Sequence, residues 1–278
     1  MTGRLVICAT PIGNLNDVSP RLRETFEAVD IVYAEDTRRT RILLDYLGVS
    51  VPLRSYFVGN EEVRSVELED RLRSGSMVAL VSDAGMPGVA DPGLSAVKMA
   101  VKAGADVSVV PGPSAVTAAL GVAGLPADRF VFEGFLPRKR GERARRLELL
   151  MAETRTIVMF SVARRLISDL ITLGDVLDLN REVVICRELT KVYEEVFRGD
   201  LAGAISRWRL GSKPRGEFTL VIRGAVKMPP RIDEVLSEVD VLVADGRTLS
   251  EAVRRVAAAS GVSRRILYER VIKNRDDD

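Results

Sequence analysis

Two acids and three arginines meet at residues 35–41 (EDTRRTR), directly after the apolar stretch DIVYA at 30–34. A mixed-charge corner of this kind is a candidate for chemistry, because carboxylates can accept protons and arginines can hold anions. The chain contains no histidine, which excludes a Ser-His-Asp triad, a Cys-His pair and a His-ligated zinc ion. Any proton transfer must therefore use a carboxylate, a lysine, a tyrosine, a cysteine or water.

Four loops rich in glycine, proline and small polar residues follow successive strand-like stretches. Their sequences are ATPIGNLND, AEDTRRT, VSDAGMPGVADPG and VPGPSA. Ligands of open α/β sheets bind beyond the carboxyl ends of the strands, and small residues let the backbone approach a ligand closely. Together the loops predict one pocket. None contains G-x-G-x-x-G or a P-loop, so neither a standard dinucleotide fingerprint nor nucleotide hydrolysis is supported.

The elements that must position these loops alternate along the first 110 residues. RLVICAT, DIVYA, MVALVS and DVSVV are predicted strands. Helices are predicted from Ser19, with Pro20 in the first turn, over TRRTRILLDYL up to Gly48, around VELEDRLRSG, and around residues 94–101. Strand and helix in strict turn predict right-handed βαβ units and a mostly parallel sheet.

From about residue 129 the rhythm changes. RFVFEGF, RTIVMFS, REVVICREL and EFTLVIRG predict a second α/β domain with mixed strand directions. KMPPRIDE (227–234) indicates a linker by its prolines. Beyond it, a helix over 250–259, a turn at Gly261 and a helix capped by Ser263 give helix-turn-helix spacing, with a two-helix packing tail as the alternative. The predicted domains are 1–116, 117–225 and 226–278.

Composition limits the classes of partner and compartment. The 41 Lys and Arg nearly balance the 39 Asp and Glu, so affinity for nucleic acid would have to come from local patches. Cys8 and Cys186 lie in separate apolar runs and are predicted to be buried, inert thiols. No apolar run approaches the roughly 20 residues that span a bilayer, and the first residues lack the features of a secretory signal. We therefore expect a cytoplasmic protein.

Seven motifs carry a resemblance to a known family: TPIGNL (10–15), EDTRRT (35–40), SDAG-P---DPG (82–93), PGPSA (111–115), GLPADRFVFEGFLPRK (124–139), RELTKVYEEVFRG (187–199) and GEFTLVIRG (216–224). On these the chain resembles the tetrapyrrole-methylase superfamily of S-adenosylmethionine-dependent methyltransferases. Within it, the chain is most similar to the ribosomal RNA small subunit methyltransferase I branch, which methylates a cytidine ribose 2′-oxygen in 16S rRNA. The motifs occur in the branch's order over nearly the whole chain.

This resemblance implies two α/β domains with S-adenosylmethionine in the cleft between them, a small helical tail, a homodimer, a substrate within the small ribosomal subunit and no metal. The implied contacts include side chains that could pack on adenine. They also include a carboxylate suited to a ligand with cationic and polar ends. These contacts lie at Ile12, Asp83, Met86, Ser114 and Ala115 in the first domain and at Phe160, Cys186 and Glu217 in the second.

The mixed-charge corner gains a role from the same resemblance. Glu35 and Asp36 are predicted to orient or deprotonate the target ribose hydroxyl, while Arg38 and Arg41 hold RNA phosphates. An ion-pair cluster that fastens the loop to the helix is the structural alternative. Lys191 is a further candidate for assisting proton removal.

A second set of RNA contacts is predicted on basic stretches outside the cleft. The run 138–146 should begin as a loop and continue into a helix whose residues Leu147, Leu150 and Met151 face the core. The predicted phosphate contacts are Arg138, Lys139 and Arg140 in this run and Arg254 and Arg255 in the tail.

The chain also departs from the branch. Residues 161–165 are SVARR where relatives carry E-S-P-H-R or E-A-P-H-R, so a carboxylate, a proline and a histidine are missing there. Two other functions stay open: methylation of a tetrapyrrole ring carbon or a translation-factor side chain within the superfamily, and RNA binding without catalysis.

Overall fold

A parallel five-stranded sheet forms from the first half of the chain in the computed structural model, which describes residues 3–211, 213–226 and 232–276. Its pairings are all parallel, and its strands, rich in Val, Ile and Leu, suit a sheet covered on both faces. The strand order is β3-β2-β4-β1-β5. The strands are β1 (Arg4–Cys8), β2 (Ile31–Ala34), β3 (Leu53–Ser55), β4 (Met77–Val81) and β5 (Asp106–Val110).

Four helices supply the two covering layers of this sheet. Helices α1 (Pro20–Ala28) and α2 (Thr37–Leu47) pack on one face, and α3 (Glu61–Arg73) and α4 (Leu94–Lys102) pack on the other. The first helix begins where the sequence predicts, since the Ser19 side chain accepts the Leu22 N–H. The second ends as predicted at Gly48, whose φ of 67° is left-handed.

A mixed sheet follows, in the order β6-β7-β10-β8-β9. Only β6 and β7 run parallel; the other neighbours are antiparallel. Three helices pack on one face and one on the other. The strands are β6 (Phe130–Phe135), β7 (Thr156–Val162), β8 (Glu182–Arg187), β9 (Glu195–Asp200) and β10 (Glu217–Ile222); the helices are α6 (Arg140–Met151), α7 (Leu166–Leu177) and α8 (Leu201–Leu210) on the first face and α5 (Ala115–Ala123) on the second.

The predicted fold class, two α/β sheets with a helical tail, is confirmed, but several elements were not predicted. Strands β3 and β9 and helix α5 have no counterpart in the sequence interpretation. Residues 1–225 form one compact unit that holds both sheets, and the boundary predicted after residue 116 falls in the first turn of α5. Met151, predicted to face the core, is 54% exposed; it is the last residue of α6, one turn beyond the buried Leu147.

Residues 226–278 form a second compact unit. It contains α9 (Ile232–Ala244), α10 (Leu249–Ser260) and α11 (Arg264–Asp276) around a core that includes Val239, Val253 and Leu267. The tail therefore has three helices where two were predicted, and a Thr248–Glu251 capping box begins α10. Residues 227–231 of the predicted linker lie outside the described residues. Among the helices described, none has the length and apolarity to cross a bilayer.

Candidate active site

The loops after β1 and β4 are joined at the carboxyl edge of the parallel sheet. Thr10 and Gly85 exchange backbone hydrogen bonds of 2.9 and 3.1 Å, and the Thr10 hydroxyl donates to the Ser82 carbonyl at 3.2 Å. These contacts fix the loop 82–93 against the loop 10–15. Two of the four predicted loops thus form one continuous surface at this edge of the sheet.

Two hydrogen bonds link the segment after β2, which holds Glu35, to the segment after β4, which holds Asp83. The Asp83 backbone N–H donates to Glu35 Oε2 at 3.2 Å, and the Asp36 backbone N–H donates to Asp83 Oδ1 at 2.9 Å. Burial raises the pKa of the Glu35 carboxyl and of the Asp83 carboxyl, since removal from water disfavours the charged form. Both side chains line the same cavity.

Asp36 performs a structural task instead. Its Oδ1 accepts the Arg38 backbone N–H at 2.8 Å, which caps α2, and its Oδ2 lies 2.6 Å from the Arg38 guanidinium. The hydrogen bonds from Arg38 hold the pKa of Asp36 well below its usual range. The expectation that both acids face the cavity is met by Glu35 and corrected for Asp36, because helix capping turns its carboxylate towards Arg38.

Two charged residues of the cavity were not predicted as site residues. Arg39 lines the cavity with its Nη1 3.5 Å from Asp83 Oδ2, whereas Arg38 is bound to Asp36. Asp91 also lines the cavity, and burial, reinforced by the nearby charge of Glu35, raises its pKa to about 6. The acidic DPG of the loop after β4 was visible in the sequence, but how that loop folds back was not.

A strained loop from the second sheet completes the cavity. It follows β8 and holds Glu188 and Thr190 at φ of 50° and 66°. Lys191 Nζ lies 2.9 Å from Glu188 Oε1 and 2.8 Å from Glu217 Oε2. Burial opposes the charge of Lys191, but the hydrogen bonds to Glu217 and Glu188 outweigh it and raise the pKa. Lys191 is therefore held protonated, which suits it to bind an anion rather than to accept a proton.

Gly13 allows this loop to approach the first sheet. A Cβ at Gly13 would overlap Cγ of Lys191. The lysine stem therefore crosses the backbone of the loop after β1. This contact links segments from the two sheets at the cavity.

The cavity has a volume of about 290 Å³ and brings the predicted cofactor residues together. Carboxylates lie beside apolar side chains, and both sheets contribute. All eight residues predicted from the resemblance line it, namely Ile12, Asp83, Met86, Ser114, Ala115, Phe160, Cys186 and Glu217, together with Glu35 and Lys191.

The residues predicted to contact RNA lie elsewhere. They are exposed: Arg38 and Arg41 on α2, Arg138, Lys139 and Arg140 at the start of α6, and Arg254 and Arg255 on α10. Within the basic run, Lys139 forms an ion pair with Glu142, with Nζ 3.3 Å from Oε1. Their contact with RNA stays a prediction.

The departure at 161–165 is built into the second sheet. Ser161 is buried and donates to Asp169 Oδ2 at 2.8 Å, and Arg165 pairs with Asp169 Oδ1 at 3.1 Å. Ser161 also lines the cavity. A neutral hydroxyl thus stands at the position where the resemblance led us to expect a carboxylate. Cys186 is a free thiol whose burial raises its pKa to about 11, which agrees with the inert thiol predicted.

Comparison with known proteins assigns the chain to a class. Residues 4–205 match the family described as tetrapyrrole (corrin/porphyrin) methylases, and the chain belongs to this family. It is a methyltransferase, and S-adenosylmethionine is its cofactor.

Particular relatives share a narrower name. The chain is 43% identical over 270 residues to the ribosomal RNA small subunit methyltransferase I of Synechocystis, which covers 96% of each chain. It is 46% identical to the protein of that name from Thermotoga maritima over 224 residues, covering 80% of this chain and 99% of the relative. A solved structure of uroporphyrin-III-C-methyltransferase from Thermus thermophilus has the same fold, with a TM-score of 0.57 at 18% identity, covering 80% of this chain and 94% of the other.

The residues present fit the cofactor. S-adenosylmethionine carries positive charge on its sulfonium and amino groups. Four acids line the cavity, Glu35, Asp83, Asp91 and Glu217, against two bases, Arg39 and Lys191. Apolar Ile12, Met86 and Phe160 supply surface for an adenine ring. The excess of acids suits the positively charged end of the molecule, and the apolar side chains suit its adenine end.

Proposed function

We propose that this protein transfers a methyl group from S-adenosylmethionine to the ribose 2′-oxygen of a cytidine in 16S ribosomal RNA. The observation that carries the proposal is the single cavity that gathers all eight expected cofactor residues from both sheets. The shared name of relatives that match nearly the whole chain supports ribosomal RNA as the substrate class. The 2′-oxygen and the cytidine follow from the resemblance of the motifs.

The charged residues of the cavity have different roles in this proposal. S-adenosylmethionine, when bound, supplies a methyl group that is already electrophilic. A ribose hydroxyl becomes an effective nucleophile only as its proton leaves, and the carboxylates of Glu35 and Asp91 face the cavity where such a proton can be taken up. Lys191 is held protonated by Glu188 and Glu217 and would have to leave one of them to hold a phosphate. Alignment of the reacting groups supplies most of the rest.

RNA affinity in this proposal comes from local patches. The net charge is +2, so phosphate contacts must be concentrated at exposed basic segments. Arg138, Lys139 and Arg140 form one patch, and Arg254 and Arg255 of the tail form another. Arg41 is available on α2, whereas Arg38 would have to leave Asp36.

The test is methyl transfer to small ribosomal subunits and to free 16S rRNA from cells that lack the gene. Radioactive S-adenosylmethionine reports transfer, and ribose-methylation mapping locates the product. The expected result is one ribose methylation at a cytidine, formed much more slowly by the Glu35→Gln variant. Methylation of a base, or transfer to a precorrin and none to RNA, would contradict the proposal.

A homodimer in the cytoplasm is part of the same proposal: the resemblance implies the homodimer, and a ribosomal RNA substrate is consistent with the cytoplasm. Sedimentation equilibrium of the full chain should give twice the monomer mass of 30.5 kDa. A monomer that methylates RNA at full rate would remove the dimer from the proposal and leave the reaction standing.

A further inference from the structure

Phe135 is an aromatic side chain of the cavity that remains about half exposed. It lines the cavity and is 48% exposed. Exposed apolar surface contributes nothing to folding stability, and a phenylalanine at a ligand cavity presents a flat face without polar atoms. This combination suits a planar ligand.

A bulge in β6 directs Phe135 to this position. Phe132 pairs with Val158, but Phe135 pairs with Phe160, so three residues of β6 span two of β7. Gly134, at φ of 60°, supplies the left-handed backbone of the irregularity. Because side chains alternate along a strand, a regular β6 would turn Phe135 away from the face of Phe132. The extra residue brings both rings to the face that Phe160 occupies.

The ring has a firm support. Phe160 lies with its centroid 5.0 Å from Phe132 and 5.5 Å from Phe135. These distances are in the range of favourable aromatic contacts. Phe135 is thus held from beneath by a partly buried ring.

The basic patch follows Phe135 within a few residues. Arg138, Lys139 and Arg140 are exposed, and three to five residues of chain reach at most about 10–18 Å. A nucleotide whose base lies on Phe135 would therefore have neighbouring phosphates within reach of this patch. Proteins that bind single-stranded RNA combine these two features, an aromatic platform and adjacent cations.

We propose that Phe135 stacks against the base of the target nucleotide and so positions its ribose at the cavity. This inference rests on the proposed function, since it takes RNA as the substrate. The ligand is an unpaired nucleobase, turned out of any helix that contains it. No proton or bond changes at Phe135, which is a positioning residue.

The test compares Phe135→Leu, which keeps an apolar side chain but removes the ring, with Phe135→Tyr, which keeps the ring. Phe130→Leu is the matched control, because Phe130 is on the same strand and 39% exposed but lies outside the cavity lining. Each variant is assayed for kcat/KM with small ribosomal subunits, for RNA affinity by filter binding, and for S-adenosylmethionine affinity by calorimetry.

Loss of one stacked base should lower kcat/KM for RNA by about ten-fold or more in Phe135→Leu. Phe135→Tyr and Phe130→Leu should stay within about three-fold of the parent, and cofactor affinity should be unchanged in all three. Equal kcat/KM for Phe135→Leu and the parent overturns the inference. So does an equal loss of cofactor affinity, which would assign the ring to adenine. A parent that binds subunits without methylating them overturns the proposed function instead, and RNA affinity of the variants then still tests the stacking.

Discussion

Glu35 Oε2 accepts a hydrogen bond of 3.2 Å from the backbone N–H of Asp83, so the acid of one loop is oriented by the next. Gln at position 35 keeps an oxygen for this bond but cannot take up a proton. We expect Glu35→Gln to lower kcat by about 100-fold with cofactor affinity within about three-fold of the parent. Steady-state kinetics and calorimetry measure the two, with the exposed Glu24→Gln as control. Turnover within a factor of two would leave Asp91 as the proton acceptor.

Asp36 should affect stability rather than turnover. Asp36→Ala removes the α2 N-cap and the pair with Arg38, and loss of a cap typically costs about 1 kcal/mol. Asp36→Asn keeps a capping oxygen and should therefore lose less stability than Asp36→Ala. Urea unfolding and kcat, measured on both variants, separate the roles. A large fall in kcat for Asp36→Asn without loss of stability would return Asp36 to the catalytic group.

Ser114 lies in the cavity lining at the N-cap position of α5. A tryptophan there would fill the space of the ligand, and we expect Ser114→Trp to weaken S-adenosylmethionine binding by at least about 100-fold. Thr117→Trp, on the exposed side of the same helix, is the control and should bind normally. Equal affinities in the two variants would mean that the cofactor occupies another part of the molecule.

Ionisation of Asp91 should make the unit of residues 1–225 less stable at high pH. Its pKa is raised to about 6 by burial and by Glu35, against about 3.9 in an unfolded chain. A raised carboxyl pKa favours the folded state fully below about pH 4, and this stability is lost as the pH rises through 6.

The groups that face Asp91 are the acids Glu35, Asp83 and Glu217 and the Ser82 hydroxyl. Asp91→Asn should therefore raise the unfolding temperature by about 2–4 °C at pH 8 and leave it unchanged at pH 4. The exposed Asp45→Asn serves as control in the same thermal scans. A gain that is equal at both pH values would show that charge at Asp91 is not the cause.

Reversal of the basic patch should abolish RNA binding without touching the cofactor. With Arg138, Lys139 and Arg140 all replaced by Glu, binding to small subunits should be lost at moderate salt, because phosphate contacts release counterions. Reversal of Arg23, Lys98 and Lys102, also exposed, is the matched control for net charge.

Adding Arg254→Glu and Arg255→Glu should weaken RNA binding further and flatten its dependence on salt. Filter binding across a salt series measures both effects. A triple variant at 138–140 that follows the parent over the whole series would exclude the patch as an RNA contact.

Much of the first sheet could be predicted because its signals are local. Ser19 with Pro20 begins α1, Gly48 ends α2, and continuous apolar runs indicate buried parallel strands. Strand β3 has only three residues, and β9 (EVFRGD) is half polar, so neither gives a periodic signal. Helix α5 follows the PGPSA loop directly and is almost wholly apolar, which periodicity cannot distinguish from a strand.

The residues of the cavity also divide into those that the sequence could predict and those that it could not. Ile12, Ser114 and their companions could be placed because the motifs resemble a known family. Asp36 could not be separated from Glu35 by sequence, since the choice between cavity and helix cap depends on backbone angles at one residue. Arg39 and Asp91 depend on how loops from three strands approach each other. Such long-range packing leaves no mark on a short stretch of chain.

The close passage of Lys191 over Gly13 makes the cavity a property of the two sheets jointly. Neither sheet alone encloses the space, so a chain with one half unfolded has no complete site. Any molecule that fills the cavity must therefore favour the state in which both halves are folded, by the mass-action term that links binding to folding. S-adenosylmethionine should thus act as a reversible cross-link, merging the melting of residues 3–225 into a single cooperative transition.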